Sequence, residues 1–334
     1  MAKVVGAFNT VHSPFCYMPP ERWNDVRAQR ALRADVPMED AATVKEKGER
    51  IKRGFETLRQ KLAEARPDVI VIFGDDQLET LDWNNFPPFA IFVGPEFEGE
   101  LSAADARFNQ PGSGGGDGHS TARARLKGHP EFATSLLSGL MRRGFDPAFC
   151  MDAPKPEFGI GHAFLRPAES LTDMQTPIVP VLVNCFFAPQ PTALRCYQLG
   201  KAVREAIEAH PGDLRVAVIG SGGLWHTPGT KDAYLDEAFD RETLRYLEAG
   251  DPKGGAAFFD AYKVPANDAS QAVAERGRLS TGMPLSGGPQ LGTREFCNWV
   301  AAAAVVDGRP WTVVDYVPVY SSPCGMAFAY SNGV

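Results

Sequence analysis

No apolar run in this chain approaches the ~20 residues that a membrane-spanning helix needs. The longest, 299–306 and 178–183, have the length of buried elements of a globular core. Cysteine is scarce. None of Cys16, Cys150, Cys185, Cys196, Cys297 and Cys324 forms a C-x-x-C pair, which excludes a zinc ribbon and a thioredoxin motif. Six cysteines in 334 residues do not make a disulfide scaffold either. Positive charge is in deficit: 34 Lys and Arg against 41 Asp and Glu give a net charge of −7. The nearest approach to a basic stripe is Arg123, Arg125 and Lys127, too little for a protein that neutralises nucleic-acid phosphates. The opening Met-Ala-Lys-Val-Val-Gly soon meets Asn9, His12 and Pro14 and does not read as an export leader, so reduced thiols and a cytoplasmic location are expected. The glycine-rich stretch 111–118 lacks the Lys-Ser/Thr ending of a phosphate-binding loop and reads as a mobile loop. What is present, 44% apolar and 22% charged residues, suits an ordinary globular protein with a sizeable core.

Apolar, β-branched runs bounded by turn residues predict strands at 3–8, 68–73, 89–93, 178–184, 215–219 and 312–316. Several, such as Val-Ile-Val-Ile-Phe at 69–73, are continuous rather than alternating, as in strands covered on both faces. Val44, Ile51, Phe55, Leu58 and Leu62 form one stripe of a long amphipathic helix. Further helices are expected at about 130–143, 191–209, 233–247 and 293–304. Strands alternating with helices predict an α/β fold: a single layered domain over 1–334, its mostly buried central sheet flanked by helices. A helical insertion is expected at about 19–65.

Six histidines can be weighed one by one. His210 stands at a helix end, His129 at a capping position, and His119 follows the glycine loop. His12 and His226 each follow a predicted strand, where α/β sheets place ligands, and His162 lies in a glycine-bounded loop. The glycines of Gly220-Ser-Gly-Gly suit a close backbone approach to a ligand. Asp75 and Asp76 open a polar loop after an apolar strand, and Glu295 lies in the first turn of a helix.

Taken together these pieces resemble the class III (LigB-type) extradiol ring-cleavage dioxygenases. The anchors are His12-x-Pro14; the loop 74–79 followed by Asn84-Asn-Phe-Pro-Pro-Phe-Ala-Ile91; Lys127-Gly-His-Pro130; His162 with Pro167; Gly220-Ser-Gly-Gly-Leu-Trp-His226; and Gly292-x-x-Glu295-x-x-x-Trp299. The resemblance covers most of the chain and implies a LigB-like fold with a non-haem Fe(II) held by two histidines and a glutamate. It makes His12 and Glu295 metal ligands, His226 the acid/base and His162 a second histidine near the substrate. The implied substrates are O2 and a catecholic or other hydroxylated aromatic compound. A homodimer or a small helical partner subunit is a family-level expectation.

The chain departs from the family at the second histidine ligand. Counting back twelve residues from Phe89 puts Gln77 at that place. Either Gln77 ligates through its amide oxygen, or Asp75 or Asp76 replaces it in a set suited to a harder ion such as Mn(II), or the metal is lost. In the last case the fold would serve a metal-independent lyase or hydrolase built on His226 and His162, or a non-catalytic binding protein. Arg166 and Arg294 are candidates to receive a substrate carboxylate. Trp225 and nearby Phe and Pro residues are candidates for the apolar pocket wall.

Overall fold

The computed structural model describes residues 1–101, 123–227, 229–265 and 285–333. The glycine-rich stretch 111–118 and His119 lie outside the described residues.

An eight-stranded sheet forms the centre, flanked on both faces by helices, as the strand and helix alternation predicts. Its core is four parallel strands: β1 (Lys3–Thr10), β2 (Val69–Gly74), β7 (Ile178–Val183) and β8 (Arg215–Ser221). The remaining members are β3 (Phe89–Phe92), β6 (Ala148–Cys150), β9 (Thr312–Val319) and β10 (Cys324–Asn332). The spatial order is β6-β3-β7-β2-β8-β1-β10-β9. β3 runs antiparallel to β7, and β10 antiparallel to both β1 and β9. Outside the sheet, β4 (Glu96–Glu100) and β5 (Arg123–Lys127) form an antiparallel pair.

Every residue of β2 and β7 is buried, which is why neither strand alternates in sequence. Their side chains still sort by parity. Val69, Val71 and Phe73 face one apolar cluster, and Ile70 and Ile72 face the other. The second face is covered by α2 (Ala41–Ala65), through Val44, Ile51, Leu58 and Leu62, and by α4 (His162–Leu171). The first face is covered by α3 (Pro130–Met141), α5 (Ala193–Glu208), α6 (Glu237–Glu248), α7 (Pro252–Ala261) and α8 (Phe296–Val305). All ten residues of α8 are buried, and all but Asn298 are apolar, so it is not striped.

Three expectations need correction. His162 does not sit in a loop: it is the first residue of α4, which continues through the buried Pro167. The Gly159-x-Gly161 approach and the proline disguise that helix in the sequence. The segment 19–65 is helical only in part: a short 3-10 turn, Pro20–Arg22, leads into α1 (Trp23–Arg27), and α2 follows after a loop. β10 is absent from the predicted strands, because its Cys-Gly-Met-Ala-Phe-Ala run carries little β-branched signal.

Candidate metal and acid–base site

The carboxyl ends of β1, β2 and β8 lie side by side, with Asn9 and Phe73 both in register with Gly220. The chain leaves these three ends through His12, Asp75 and the loop 222–226. A fourth element completes the group. The 3-10 turn Leu291–Glu295 enters α8 from below and delivers Glu295.

His12, Asp75 and Glu295 are all buried, and one donor atom from each lies within 4.8 Å of the others. His12 Nε2 is 3.1 Å from Glu295 Oε2 and 4.0 Å from Asp75 Oδ1. On the other side of the ring, His12 Nδ1 is 2.9 Å from Ser221 Oγ. With that hydroxyl accepting Nδ1–H, the Nε2 lone pair faces the two carboxylates, the orientation that a metal-binding histidine needs. Asn298 Nδ2 donates to Asp75 Oδ1 at 3.3 Å and to the Ser221 carbonyl at 2.7 Å. Asp75 Oδ2 is buried and has no hydrogen-bond partner among the described residues. Burial, and then the neighbouring Glu295 charge, push the Asp75 carboxyl well above its ordinary range. Such a group is costly in the fold unless a cation satisfies it. One imidazole and two carboxylates, each carboxylate with one buried oxygen that accepts no hydrogen bond, therefore fit a divalent metal.

Gln77 is exposed and lines the same cavity as His12 and Glu295. Asp76 accepts hydrogen bonds from the backbone N–H of Leu78, Thr80 and Leu81, and Leu78 adopts a φ of 69°. That tight turn reverses the chain straight after Asp75 and leaves Gln77 exposed on the cavity wall. It also commits Asp76 to the loop, where burial and then the Glu79 charge raise its pKa to about 6.

His226 approaches Glu295 from the opposite side, with Nε2 3.3 Å from Oε1. Its Nδ1 donates to the Leu224 carbonyl at 3.0 Å. A carbonyl can only accept, so the Nδ1 proton is fixed and Nε2 is the titrating atom. Burial opposes the charged imidazole, but the Glu295 carboxylate outweighs it and raises the His226 pKa. The His226 and His12 rings in turn overcome burial and hold Glu295 below the carboxylate range. Glycines make the fit. A Cβ at Gly292 would come within 2.1 Å of the His226 ring, and one at Gly222 within 2.6 Å of Glu295 Cβ. Gly223 N–H donates to Glu295 Oε2 at 2.9 Å. The Gly220-Ser-Gly-Gly run thus makes room for a carboxylate of the chain itself.

His162 sits edge-on to His12, with ring centroids 4.6 Å apart. Its Nδ1 is 2.6 Å from Glu79 Oε2. Glu79 has no sequence signal as a partner, since 83 residues separate the two. Despite burial, the His162 ring holds the Glu79 pKa down at about 2. His12, His162, His226, Glu79 and Glu295 all open on one cavity of about 310 Å³, with Phe15, Leu32 and Pro323 among its apolar walls.

Of the other candidates, Trp225 and Arg294 lie in the core and Arg166 lies in the cavity wall. Trp225 is buried and donates its indole N–H to the Tyr234 carbonyl, so it is core rather than pocket wall. Arg166 is buried and donates to the His12 carbonyl at 2.7 Å. Arg294 is fully buried and donates to the carbonyls of Gly287 and Pro191. His129 caps α3, and His210 pairs with Ser135.

The family model of the catalytic LigB subunit of aromatic ring-opening dioxygenases matches residues 36–283, well over half of the chain. The protein belongs to that family. The matched span includes Asp75, Glu79, His162 and His226; His12 and Glu295 flank it. Gallate dioxygenase of Pseudomonas putida is 36% identical over 131 residues, 38% of this chain and 37% of that protein. A 2,3-dihydroxyphenylpropionate/2,3-dihydroxicinnamic acid 1,2-dioxygenase of Photorhabdus laumondii is 27% identical over 180 residues, 53% of this chain and 49% of that protein. The matched part of the chain thus spans half or less of each of these two relatives. The crystal structure of an uncharacterized protein from Escherichia coli K12 superposes with a TM-score of 0.47 at 13% identity, covering 98% of this chain and 99% of that one.

Proposed function

We propose that this protein is a ring-cleaving dioxygenase acting on a hydroxylated aromatic compound, with a divalent non-haem metal held by His12, Asp75 and Glu295. The observation that carries the reading is the cluster of these three buried donors, two of which, His12 and Glu295, line one cavity together with His226 and His162. Fe(II) or Mn(II) would supply chelation of adjacent phenolic oxygens and access to O2, and the second carboxylate favours the harder ion.

The chain's own groups divide the remaining work. His226 Nε2 takes a phenolic proton and later returns one, with its Nδ1 proton anchored on Leu224. Glu295 supports the charged form of His226 from 3.3 Å. Glu79 holds the His162 Nδ1 proton, which leaves Nε2 as the atom available for a substrate hydroxyl. Phe15, Leu32 and Pro323 exclude water from the ring. The six cysteines are all free, in keeping with a reducing, cytoplasmic setting, and among the described residues no helix is long and apolar enough to cross a membrane.

A second reading draws on the His226–Glu295 pair, which could do acid–base work without metal in a lyase or hydrolase on the same fold. Elemental mass spectrometry on protein purified without oxygen and offered Fe(II), Mn(II) and Zn(II) separates the two. The dioxygenase reading expects near-stoichiometric Fe or Mn, lost in His12→Ala, together with oxygen uptake on a catechol panel. No tight metal under any condition would sink the dioxygenase reading and leave the metal-independent enzyme or a non-catalytic binding protein.

A further inference from the structure

One cavity-lining charge has no part in the site described so far. Arg30 lies just after α1, in a segment fixed to the loop that follows His226. Ala233 N–H donates to the Ala31 carbonyl, and Arg33 N–H to the Ala233 carbonyl, each at 3.1 Å. The segment carries three arginines, and two are committed. Arg27 donates to the carbonyls of Tyr320 and Val36. Arg33 forks onto Asp35 and lies over the Tyr234 ring. Arg30 alone of the three lines the cavity. Its Nε is buried without a hydrogen-bond partner, and no acid pairs with it among the described residues.

The other charges on the cavity wall are engaged. Glu79 is bound to His162, Glu295 to His12 and His226, and Arg166 to the His12 carbonyl. Burial without a counter-ion disfavours the Arg30 guanidinium. Holding a partly buried cation without a counter-ion in the cavity wall is costly unless a ligand brings the anion.

We infer that Arg30 receives an acidic substituent, a carboxylate, on the aromatic substrate and so selects aromatic acids over neutral catechols. The inference rests on the ring-cleavage reading for the identity of the ligand, but not for the role of the cation. Binding of 3,4-dihydroxybenzoate and of unsubstituted catechol is measured by titration calorimetry without oxygen, on wild type, Arg30→Met and Arg30→Lys. Arg30→Met is expected to weaken dihydroxybenzoate about tenfold to hundredfold, the loss for a charge-assisted contact. Catechol binding should stay within about twofold, and Arg30→Lys should recover part of the loss. The assignment is overturned if wild type binds dihydroxybenzoate no more tightly than catechol, or if Arg30→Met weakens both ligands alike or neither. A wild type that binds dihydroxybenzoate in an Arg30-dependent way but consumes no oxygen would refute the dioxygenase reading and leave this one standing.

Discussion

The proposed donor set differs by one residue from the family expectation, and that residue is Asp75. An imidazole would be a neutral ligand there; a carboxylate adds a negative charge and leaves Oδ2 buried and unsatisfied. Metal affinity should therefore depend on Asp75 and not on Gln77. Asp75→Asn should lower Mn(II) or Fe(II) affinity by about tenfold or more, whereas Gln77→Ala should leave metal content unchanged, both read by elemental analysis after dialysis. The opposite ranking would return Gln77 to the donor set. At His226 the separation runs the other way. His226→Ala should cut turnover by about 10²–10⁴-fold, the range for a lost general acid–base group, with metal content nearly unchanged. Equal loss of metal would make His226 a ligand. His12, His226 and Glu295 stand out in the sequence because each adjoins a recognisable strand or helix end. Glu79 does not, because its role is set by a partner 83 residues away.

Between elements, the loop carrying His226 is clamped from three sides. Gly325 N–H at the start of β10 donates to the Trp225 carbonyl, and Thr293 N–H of the 3-10 turn to the His226 carbonyl, each at 2.9 Å. Asp240 on α6 accepts from Trp225 N–H and from the Tyr316 hydroxyl of β9. A Cβ at Gly292 would meet the His226 ring itself, within 2.1 Å. Gly292→Ala should displace the His226 ring and lower kcat sharply while the fold survives, checked by turnover beside a circular dichroism spectrum. Asp240 is fully buried, and burial raises its pKa to about 7. Asp236 pushes in the same direction; Tyr316, Trp225 N–H and His226 oppose it. The unfolded chain releases this proton near roughly pH 4. Between there and about pH 7 the native state binds more protons, so stability should fall as pH rises through the window. Asp240→Asn should flatten that slope in urea denaturation run across the range, and identical slopes would count against the assignment. The strands and long helices were legible because burial leaves its period in sequence. α4 was not, because its first turn follows two close glycines and its sixth residue is Pro167.

For the whole molecule, the site joins parts that fold on opposite faces of the sheet. α2 and α4 cover one face and the α8 group the other, and the three strand ends meet between them. A cation bound only by the native state should raise stability by about 2.7 kcal/mol at a hundredfold excess over its Kd. Thermal unfolding with and without Mn(II) should show that gain in wild type and not in His12→Ala. Leu58→Ala, on the buried stripe of α2 far from the donors, should cost about 2–5 kcal/mol and leave the metal-induced gain intact.

The sequence by itself determined the α/β layering, the buried central strands, the family, and His12, His162, His226 and Glu295 as candidate chemistry. These are local facts: an apolar run, a strand end, a short spacing. Only the tertiary structure decided that Asp75 comes within reach of His12 and Glu295, that Glu79 pairs with His162, and that Arg30 rather than Arg166 or Arg294 lines the cavity uncommitted. Each of those depends on which way a turn sends a side chain, and on what a segment distant in sequence brings against it. Residue types and spacings do not carry that information.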